Sequence, residues 1–350
     1  MRRVLVTGGA GFIGSFVVDL LVEAGHTVRV VDSLLPAAHR DKPAYLNGGA
    51  EYLWGDLCDP EVAAEAVVGV DAVSHQASMV GLGVDFGDVT AYVTNNALAT
   101  AALLQALHAR DFAGRIVLAS SMVVYGDGRY RCAEHGPVRA RVRREEQLRR
   151  GEWEVACDRC GHALTPEPVT EDDRIDPRNV YAATKLHQEH LLDAYAREHG
   201  APAIALRYHN VYGARMPRAT PYAGVASIFR SALENGRPPA VFEDGRQLRD
   251  FVHVADVARA NLAALDAPPD ITGPVNVASG EPCSVHSMAR AVASAFGPDA
   301  PEPRVTGDYR AGDVRHVFGS TDRARERLGY HARVRPAAGL AAFARSELRA

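Results

Sequence analysis

Residues 4–14 read Val4-Leu5-Val6-Thr7-Gly8-Gly9-Ala10-Gly11-Phe12-Ile13-Gly14, an apolar run that passes directly into glycines. Apolar side chains then recur at helical spacing from Phe12 to Ala24, and the pattern ends at Gly25. These residues predict a β-strand, a tight turn and an α-helix. Further apolar runs at 27–31, 72–74, 115–120 and 203–208 alternate with helical patterns at 60–68, 90–109 and 181–198. Such alternation predicts an α/β fold with a doubly wound parallel sheet.

The glycines Gly8, Gly11 and Gly14 predict a site for a dinucleotide. Glycine permits a tight turn, close approach of the backbone to a pyrophosphate and close packing of helix on strand, and the helix N-terminus faces the phosphates. Asp32 ends the second apolar run, 18 residues beyond Gly14. A carboxylate at this position accepts hydrogen bonds from the ribose hydroxyls and repels a 2′-phosphate. The sequence therefore predicts a Rossmann domain that binds NAD rather than NADP.

The length of 350 residues allows one large α/β domain and a smaller lobe. We expect an NAD-binding domain over 1–212, with 250–278 returning to it, and a smaller α/β substrate-binding lobe over 213–350. A net charge of −4 offers no general electrostatic footprint for nucleic acid. No apolar run approaches the ~20 residues of a membrane-spanning helix. We therefore expect a cytoplasmic protein with neither a nucleic-acid nor a membrane partner.

The GxxGxxG spacing resembles that of the extended short-chain dehydrogenases/reductases, in the family of NAD-dependent nucleotide-sugar epimerases and dehydratases. The resemblance runs over nearly the whole chain, through Gly55-Asp56-Leu57, His75-Gln76-Ala77-Ser78 and Asn95-Asn96. It implies a homodimer in which the helices at 92–109 and 181–198 pair across a two-fold axis. The cofactor contacts expected on this basis are Gly8, Gly11, Phe12, Ile13, Gly14, Asp32, Ser33, Asp56, Leu57, Gln76, Ala77, Ser78, Asn96, Ala119, Tyr181, Lys185, Tyr208 and Val211.

Tyr181 and Lys185 lie four residues apart, and this spacing places both side chains on one face of a helix. A nearby ammonium and an oxidised nicotinamide both favour the phenolate of the tyrosine, which could then exchange a proton with a sugar hydroxyl. Ser121 follows a buried strand and resembles the family's active-site hydroxyl. We expect Ser121, Tyr181 and Lys185 to form the catalytic set.

The residues after Ser121 bear on the reaction. Dehydratases of this family carry two acids there, whereas this chain has Met122 and Val123. The resemblance therefore implies epimerisation: the C4 hydroxyl of a nucleotide sugar is oxidised to a transient 4-keto group and reduced again on the other face. The alternatives are another NAD-dependent nucleotide-sugar enzyme, a decarboxylase or keto-sugar reductase, and a non-catalytic protein that binds NAD and zinc.

Three further stretches resemble the parts of the family that bind the nucleotide sugar. They are residues 207–213, Arg249-Asp250-Phe251-Val252-His253 and Arg310-Ala311-Gly312-Asp313, and guanidinium groups suit a diphosphate. Val80-Gly81-Leu82-Gly83, Pro221-Tyr222-Ala223-Gly224-Val225 and Phe242-Glu243-Asp244-Gly245 resemble the branch that includes dTDP-L-rhamnose 4-epimerases. Whether the base is dTDP or UDP stays open. The expected substrate contacts are Val80, Gly81, Ser121, Met122, Asn210, Val225, Arg249 and Arg310.

Between Gly126 and Tyr181 the chain is longer than the family usually is, which predicts an insertion over 128–172. Three of the five cysteines fall here, in Cys132-x-x-His135 and Cys157-x-x-Cys160. Three thiolates and one imidazole predict a closed, structural zinc site rather than a catalytic one. His162 is an alternative to His135 as the fourth ligand. Unpaired reduced thiols in a loop are the other interpretation of this pattern.

Overall fold

The computed structural model describes residues 1–36, 38–39, 41–81, 86–218 and 224–349. Its strands are β1 (Arg3–Thr7), β2 (Thr27–Asp32), β3 (Ala50–Trp54), β4 (Ala72–His75), β5 (Arg115–Ser121), β6 (Arg129–Cys132), β7 (Gly136–Val138), β8 (Thr165–Glu167), β9 (Ala203–Tyr208), β10 (Asn210–Tyr212), β11 (Ala240–Val241), β12 (Leu248–Arg249), β13 (Phe251–His253), β14 (Gly273–Val277), β15 (Cys283–Ser284) and β16 (Arg304–Val305). Its α-helices are α1 (Phe12–Glu23), α2 (Pro60–Ala66), α3 (Val89–Tyr92), α4 (Ala99–His108), α5 (Glu145–Arg149), α6 (Val180–His199), α7 (Val225–Glu234), α8 (Val254–Asp266), α9 (Val285–Ser294), α10 (Asp322–Leu328) and α11 (Pro336–Phe343).

A seven-stranded parallel sheet forms the centre of the molecule, in the order β14-β9-β5-β4-β1-β2-β3. From β1 the chain first adds β2 and β3 on one side, and then adds β4, β5, β9 and β14 on the other side. In such a sheet, ligands bind at the carboxyl ends of the strands where the order reverses, which is here between β1 and β4. The predicted doubly wound parallel sheet is confirmed.

Helices cover both faces of this sheet because its strands are apolar on both sides. Along β1, Val4 and Val6 join the core beneath α1 and α8, whereas Leu5 joins the core beneath α2, α4 and α6. This division follows from the alternation of side chains along a strand. The sequence analysis did not identify β3 or β14, which form the two edges of the sheet.

The helix predicted over 90–109 is interrupted. The chain forms α3, then a π-helical turn over Val93–Leu98, and then α4. Hydrogen bonds from Asn95 and Thr100 to carbonyl oxygens four residues earlier accompany this turn. A π-turn shifts the register of the residues that follow it, and such turns are frequent at functional sites.

Two smaller units accompany the central sheet. In the first, which we call the antiparallel unit, β6, β7 and β8 form an antiparallel sheet within the expected insertion. In the second unit, α7, α9 and α11 pack with the parallel pair β10-β13 around a core that includes Tyr212, Phe229 and Phe251. In the part of the chain that the structure describes, no helix is both long and apolar enough to cross a membrane.

Candidate active site and metal site

The carboxyl ends of the central strands open into a cleft of about 1670 Å³ that extends to the second unit. Pockets for single drug-sized ligands hold about 300–1000 Å³. This cleft therefore has room for a dinucleotide and a second ligand together. The expected cofactor residues that line it are Gly8, Gly11, Phe12, Ile13, Gly14, Asp32, Ser33, Asp56, Leu57, Gln76, Ala77, Ser78, Ala119, Tyr181, Lys185, Tyr208 and Val211.

Asn96 departs from the expectation that it contacts the cofactor. It is fully buried beside the π-turn and does not line the cleft. Its amide oxygen accepts hydrogen bonds from the Met79 amide (2.7 Å) and the Ser78 hydroxyl (3.0 Å), and its amide nitrogen donates to the Thr184 hydroxyl (2.9 Å). Asn96 thus ties the segment after β4 to α6 and is a structural residue.

The loop between β1 and α1 has no room for side chains. Gly8 has a φ of +66°, and a Cβ there would lie 2.7 Å from the Ala77 backbone. A Cβ on Gly14 would lie 2.1 Å from the carbonyl oxygen of Gly8. No side chain caps α1, which begins after Gly11. The backbone can therefore approach a bound group closely, and the first amides of the helix suit an anion.

Asp32 organises the neighbouring loop. One carboxylate oxygen accepts a hydrogen bond from the Ala10 amide and the other from the Leu34 amide, both at 2.9 Å. Each oxygen has a second lone pair for another donor. The carboxylate lies at the wall of the cleft.

Ser121, Tyr181 and Lys185 come together at the carboxyl end of β5. Asn179 caps α6 through a 2.8 Å hydrogen bond from the Ala182 amide, and this cap places Tyr181 in the first turn of the helix. The Ser121 side chain lies close enough to the Tyr181 phenol to lower its pKa. The Lys185 ammonium donates to the Ala119 carbonyl at 2.8 Å and lies 5.9 Å from the centre of the Tyr181 ring.

Burial changes the acidity of both ionisable groups. It raises the pKa of Tyr181 to about 12, against the effect of the Ser121 side chain. It lowers the pKa of Lys185 to about 7, against the charge of Glu189. Because burial favours the neutral form of each group, a further positive charge in the cleft is needed to favour the phenolate at neutral pH.

One polar residue that the sequence analysis missed supports this wall of the cleft. Asn261, on α8, is fully buried and donates a 2.7 Å hydrogen bond to the Tyr208 hydroxyl. Its amide oxygen accepts from the Gln76 side chain at 2.8 Å, and the Tyr208 hydroxyl donates to Gln76 at 3.1 Å. An asparagine on the apolar face of a helix was the signal for this contact, because buried amides need partners.

The other end of the cleft carries the residues expected to contact the substrate. Those that line it are Val80, Gly81, Ser121, Met122, Asn210, Val225, Arg249 and Arg310. Leu82, Gly83, Pro221, Tyr222 and Ala223, from the motifs quoted above, lie outside the described residues. The Arg249 guanidinium donates to the carbonyl oxygens of Val314 (2.6 Å) and Arg315 (2.9 Å). These bonds fix the side chain at the wall of the cleft.

Cys132, His135, Cys157 and Cys160 converge in the antiparallel unit, with their donor atoms all within 4.8 Å of one another. The sulfurs of Cys132 and Cys160 are 3.6 Å apart, far beyond the ~2.05 Å of a disulfide. The His135 Nδ1 atom lies 3.4 Å from the Cys132 sulfur and 3.6 Å from the Cys157 sulfur. Ligands bonded tetrahedrally to zinc at ~2.3 Å (S) and ~2.1 Å (N) would be separated by about 3.8 Å (S to S) and about 3.6 Å (S to N). The three distances are close to these values, and the remaining pairs of donor atoms lie within 4.8 Å.

Two further observations bear on the ligand set. His162 is exposed and pairs with Glu134 at 2.9 Å, in a group with Glu134 and Cys160 that shares only Cys160 with the site. His135 therefore fits the fourth position better than His162 does. Hydrogen bonds from the backbone amides of Arg159 and Cys160 lower the pKa of Cys157 to about 6. A thiolate is the form that binds a metal.

The chain is similar to known proteins over most of its length. The model of the NAD dependent epimerase/dehydratase family matches residues 4–143 and 160–278. A dTDP-L-rhamnose 4-epimerase from Burkholderia thailandensis is 33% identical over 337 residues, covering 94% of this chain and 90% of the relative. The crystal structure of UDP-glucose 4-epimerase from Thermotoga maritima with UDP-glucose has a TM-score of 0.79 at 27% identity, covering 98% of this chain and 97% of that one. The Thermus thermophilus UDP-glucose 4-epimerase complex with NAD has a TM-score of 0.77 at 30% identity, with the same coverage.

Proposed function

The chain belongs to the NAD dependent epimerase/dehydratase family, and from that membership we propose that it is a nucleotide-sugar 4-epimerase working with tightly bound NAD. The observation that carries the proposal is the meeting of Ser121, Tyr181 and Lys185 at the end of β5, inside a cleft large enough for NAD and a nucleotide sugar. The glycine cradle of Gly8 and Gly14 and the uncapped start of α1 fit the pyrophosphate of NAD.

NAD, when bound, supplies the acceptor and then the donor of a hydride. With NAD bound, the Tyr181 phenolate would take the proton of the C4 hydroxyl during oxidation, and the resulting phenol would return it to the 4-keto oxygen during reduction on the opposite face. The Ser121 hydroxyl donates a hydrogen bond to the sugar oxygen. The protonated form of Lys185, together with the positive charge of an oxidised nicotinamide, would favour the phenolate. The side chains of Met122 and Val123 are not acidic, so they cannot protonate a sugar hydroxyl and help it leave as water.

The experiment is a panel of dTDP- and UDP-sugars incubated with the purified protein without added NAD. We expect inversion at C4, followed by NMR, with one of these substrates. Release of CO₂ would indicate a decarboxylase instead, and stoichiometric consumption of added NADH a keto-sugar reductase. Binding of NAD with no turnover of any nucleotide sugar would contradict the proposal and favour a non-catalytic protein.

We propose a homodimer formed by α6 and the segment from α3 to α4. An apolar groove runs between them, lined by Tyr92, Ala97, Val180 and Ala183 among others. Phe86, Val93 and Leu98 on the same surface are 76%, 46% and 53% exposed. Large exposed apolar patches mark interaction sites, and a two-fold interface lets one such patch cover another.

We propose a structural zinc ion held by Cys132, His135, Cys157 and Cys160, within an insertion over 128–172. The spacing of the donor atoms supports it, as does the size of the core they join. That core has six buried residues, of which two are the ligands Cys132 and Cys157. A unit with so small a core needs a further cross-link to remain folded.

A further inference from the structure

The antiparallel unit grips one short segment of the second unit, residues 313–316. The Tyr130 hydroxyl, two residues before Cys132, accepts a 3.1 Å hydrogen bond from the His316 amide. Glu154, three residues before Cys157, accepts hydrogen bonds from Arg315 (2.5 Å) and pairs with the His316 ring (3.0 Å). Both contacts begin close to the metal ligands in sequence.

Arg143 makes a third connection. Its guanidinium donates to the Glu243 carboxylate at 2.7 Å and to the Asp313 carbonyl at 2.8 Å. The Arg315 side chain, which is fully buried, also contacts Glu243 (2.8 Å) and Asp244 (2.7 Å). Buried charges of this kind depend on their partners, because loss of one partner leaves an uncompensated charge.

Segment 313–316 also binds the Arg249 side chain. The Arg249 guanidinium donates to the carbonyl oxygens of Val314 and Arg315, so its position in the cleft follows the position of that backbone. Asp313 and Arg310 line the same part of the cleft. The metal ligands therefore connect to the diphosphate end of the cleft through Glu154 and Arg315 and the backbone that binds Arg249.

We infer that the Cys132-His135-Cys157-Cys160 site controls the affinity of the cleft for the diphosphate of its substrate, with Glu154 as the residue that positions Arg249 through segment 313–316. The inference rests on the proposed function for the identity of the ligand. Glu154 lies in 144–159, the part of the insertion that the family model does not match. The proposed control of affinity by Glu154 therefore depends on a segment that the family model does not describe.

The first measurement is the metal content of the purified protein. We expect about one zinc per chain. Absence of zinc, with Cys132 and Cys157 freely alkylated, would overturn the inference at its origin.

The second measurement is calorimetric binding of dTDP and UDP, which requires no turnover, to the zinc-loaded protein, the zinc-stripped protein and Glu154→Gln. We expect the better of the two nucleotides to bind about three- to tenfold more weakly to the stripped protein and to Glu154→Gln. Glu154→Gln should retain its zinc and its bound NAD, and should raise KM for the nucleotide sugar more than it changes kcat. These measurements distinguish a role of Glu154 in positioning Arg249 from a loss of the folded structure, which would also release zinc and NAD.

Glu152→Gln is the matched control, since Glu152 lies two residues from Glu154 but pairs with Arg150 on the exposed surface. We expect it to bind nucleotide as the parent does. Equal affinity of parent and Glu154→Gln, or equal weakening by Glu154→Gln and Glu152→Gln, would overturn the inference and leave the proposed function standing. Failure of the parent to bind either nucleotide would overturn both.

Discussion

Two ionisable residues in the cleft are tuned by the same physical effect in opposite directions. Tyr181 and Lys185 are both buried, which raises the pKa of the phenol to about 12 and lowers that of the ammonium to about 7. The chemistry proposed for Tyr181 needs a lower pKa, at which the phenolate forms. A positively charged nicotinamide in the cleft would supply it, so the active site is completed electrostatically by its cofactor.

Tyr181→Phe removes the proton acceptor and leaves the ring in place. We expect kcat to fall by about 10²–10⁴-fold, the range for loss of a general acid-base group, with the fold and the bound NAD retained. Tyr195→Phe is the control, because Tyr195 lies on the same helix but donates its hydroxyl to the Phe112 carbonyl, away from the cleft. Equal activity of the two variants would remove Tyr181 from the mechanism.

Lys185 predicts a dependence of stability on pH in the nucleotide-free protein. Its pKa is about 7 when folded against 10.5 in the unfolded chain, so between these values the unfolded chain binds more protons. The free energy of unfolding therefore rises with pH in this window, by at most about 1.4 kcal/mol per pH unit from this group. The neutral variant Lys185→Met should gain most in Tm at pH 6–7, and its advantage should shrink toward pH 9.

The only other lysine supplies the control for this measurement. Lys42 is exposed, so Lys42→Met should change Tm by the same amount at every pH. A Tm difference between Lys185→Met and the parent that stays constant from pH 6 to pH 9 would refute the pH prediction.

Among the secondary-structure elements, the turn between β1 and α1 depends on glycines, because a Cβ at Gly8 or Gly14 would lie too close to backbone atoms. Gly14→Ala would place a methyl group 2.1 Å from the Gly8 carbonyl oxygen, a backbone atom that cannot move aside without opening the loop. We expect a loss of about 2 kcal/mol or more in the free energy of unfolding, together with loss of bound NAD. Urea denaturation and the nucleotide content of the purified variant measure the two effects.

Gly48→Ala is the comparison for Gly14→Ala. A methyl group at Gly48 meets no atom within 4 Å, and the backbone there is not left-handed. It should leave both stability and NAD content near the parent values. Normal NAD content in Gly14→Ala would show that the loop tolerates a side chain and would contradict this account of the site.

For the whole molecule, the exposed apolar groove between α6 and the segment from α3 to α4 leads to a prediction about assembly. Val93→Arg places a charge in the middle of the proposed two-fold interface, and we expect the mass in solution to fall from twice 37.6 kDa to 37.6 kDa. Light scattering after size-exclusion chromatography measures it. Val305→Arg is the control, since Val305 is equally exposed at 46% but lies on the second unit, away from the groove. A monomeric parent protein would refute the dimer.

The sequence by itself predicted five of the seven strands of the central sheet and the dinucleotide turn, from apolar periodicity and the spacing of the glycines. The spacing of Tyr181 and Lys185 placed both on one face of a helix, and the resemblance to the family supplied the other residues expected in the cleft. The edge strands β3 and β14 escaped prediction because polar residues and a proline interrupt their apolar pattern: β3 contains Glu51, and β14 contains Pro274 and Asn276. Asn96, expected as a cofactor contact, is buried and does not line the cleft, and nothing in its local pattern reveals whether an amide faces a cleft or the interior.

Only the tertiary structure decided how distant segments meet. The choice of His135 over His162 depends on which ring reaches two sulfurs, and Asn261 contacts Gln76 and Tyr208 across 185 and 53 positions of sequence. The inferred link from the proposed metal ligands to Arg249 depends on the contact between Glu154 and Arg315, which are 161 positions apart. Pairing over such distances follows from packing of the whole chain, and no local pattern encodes it.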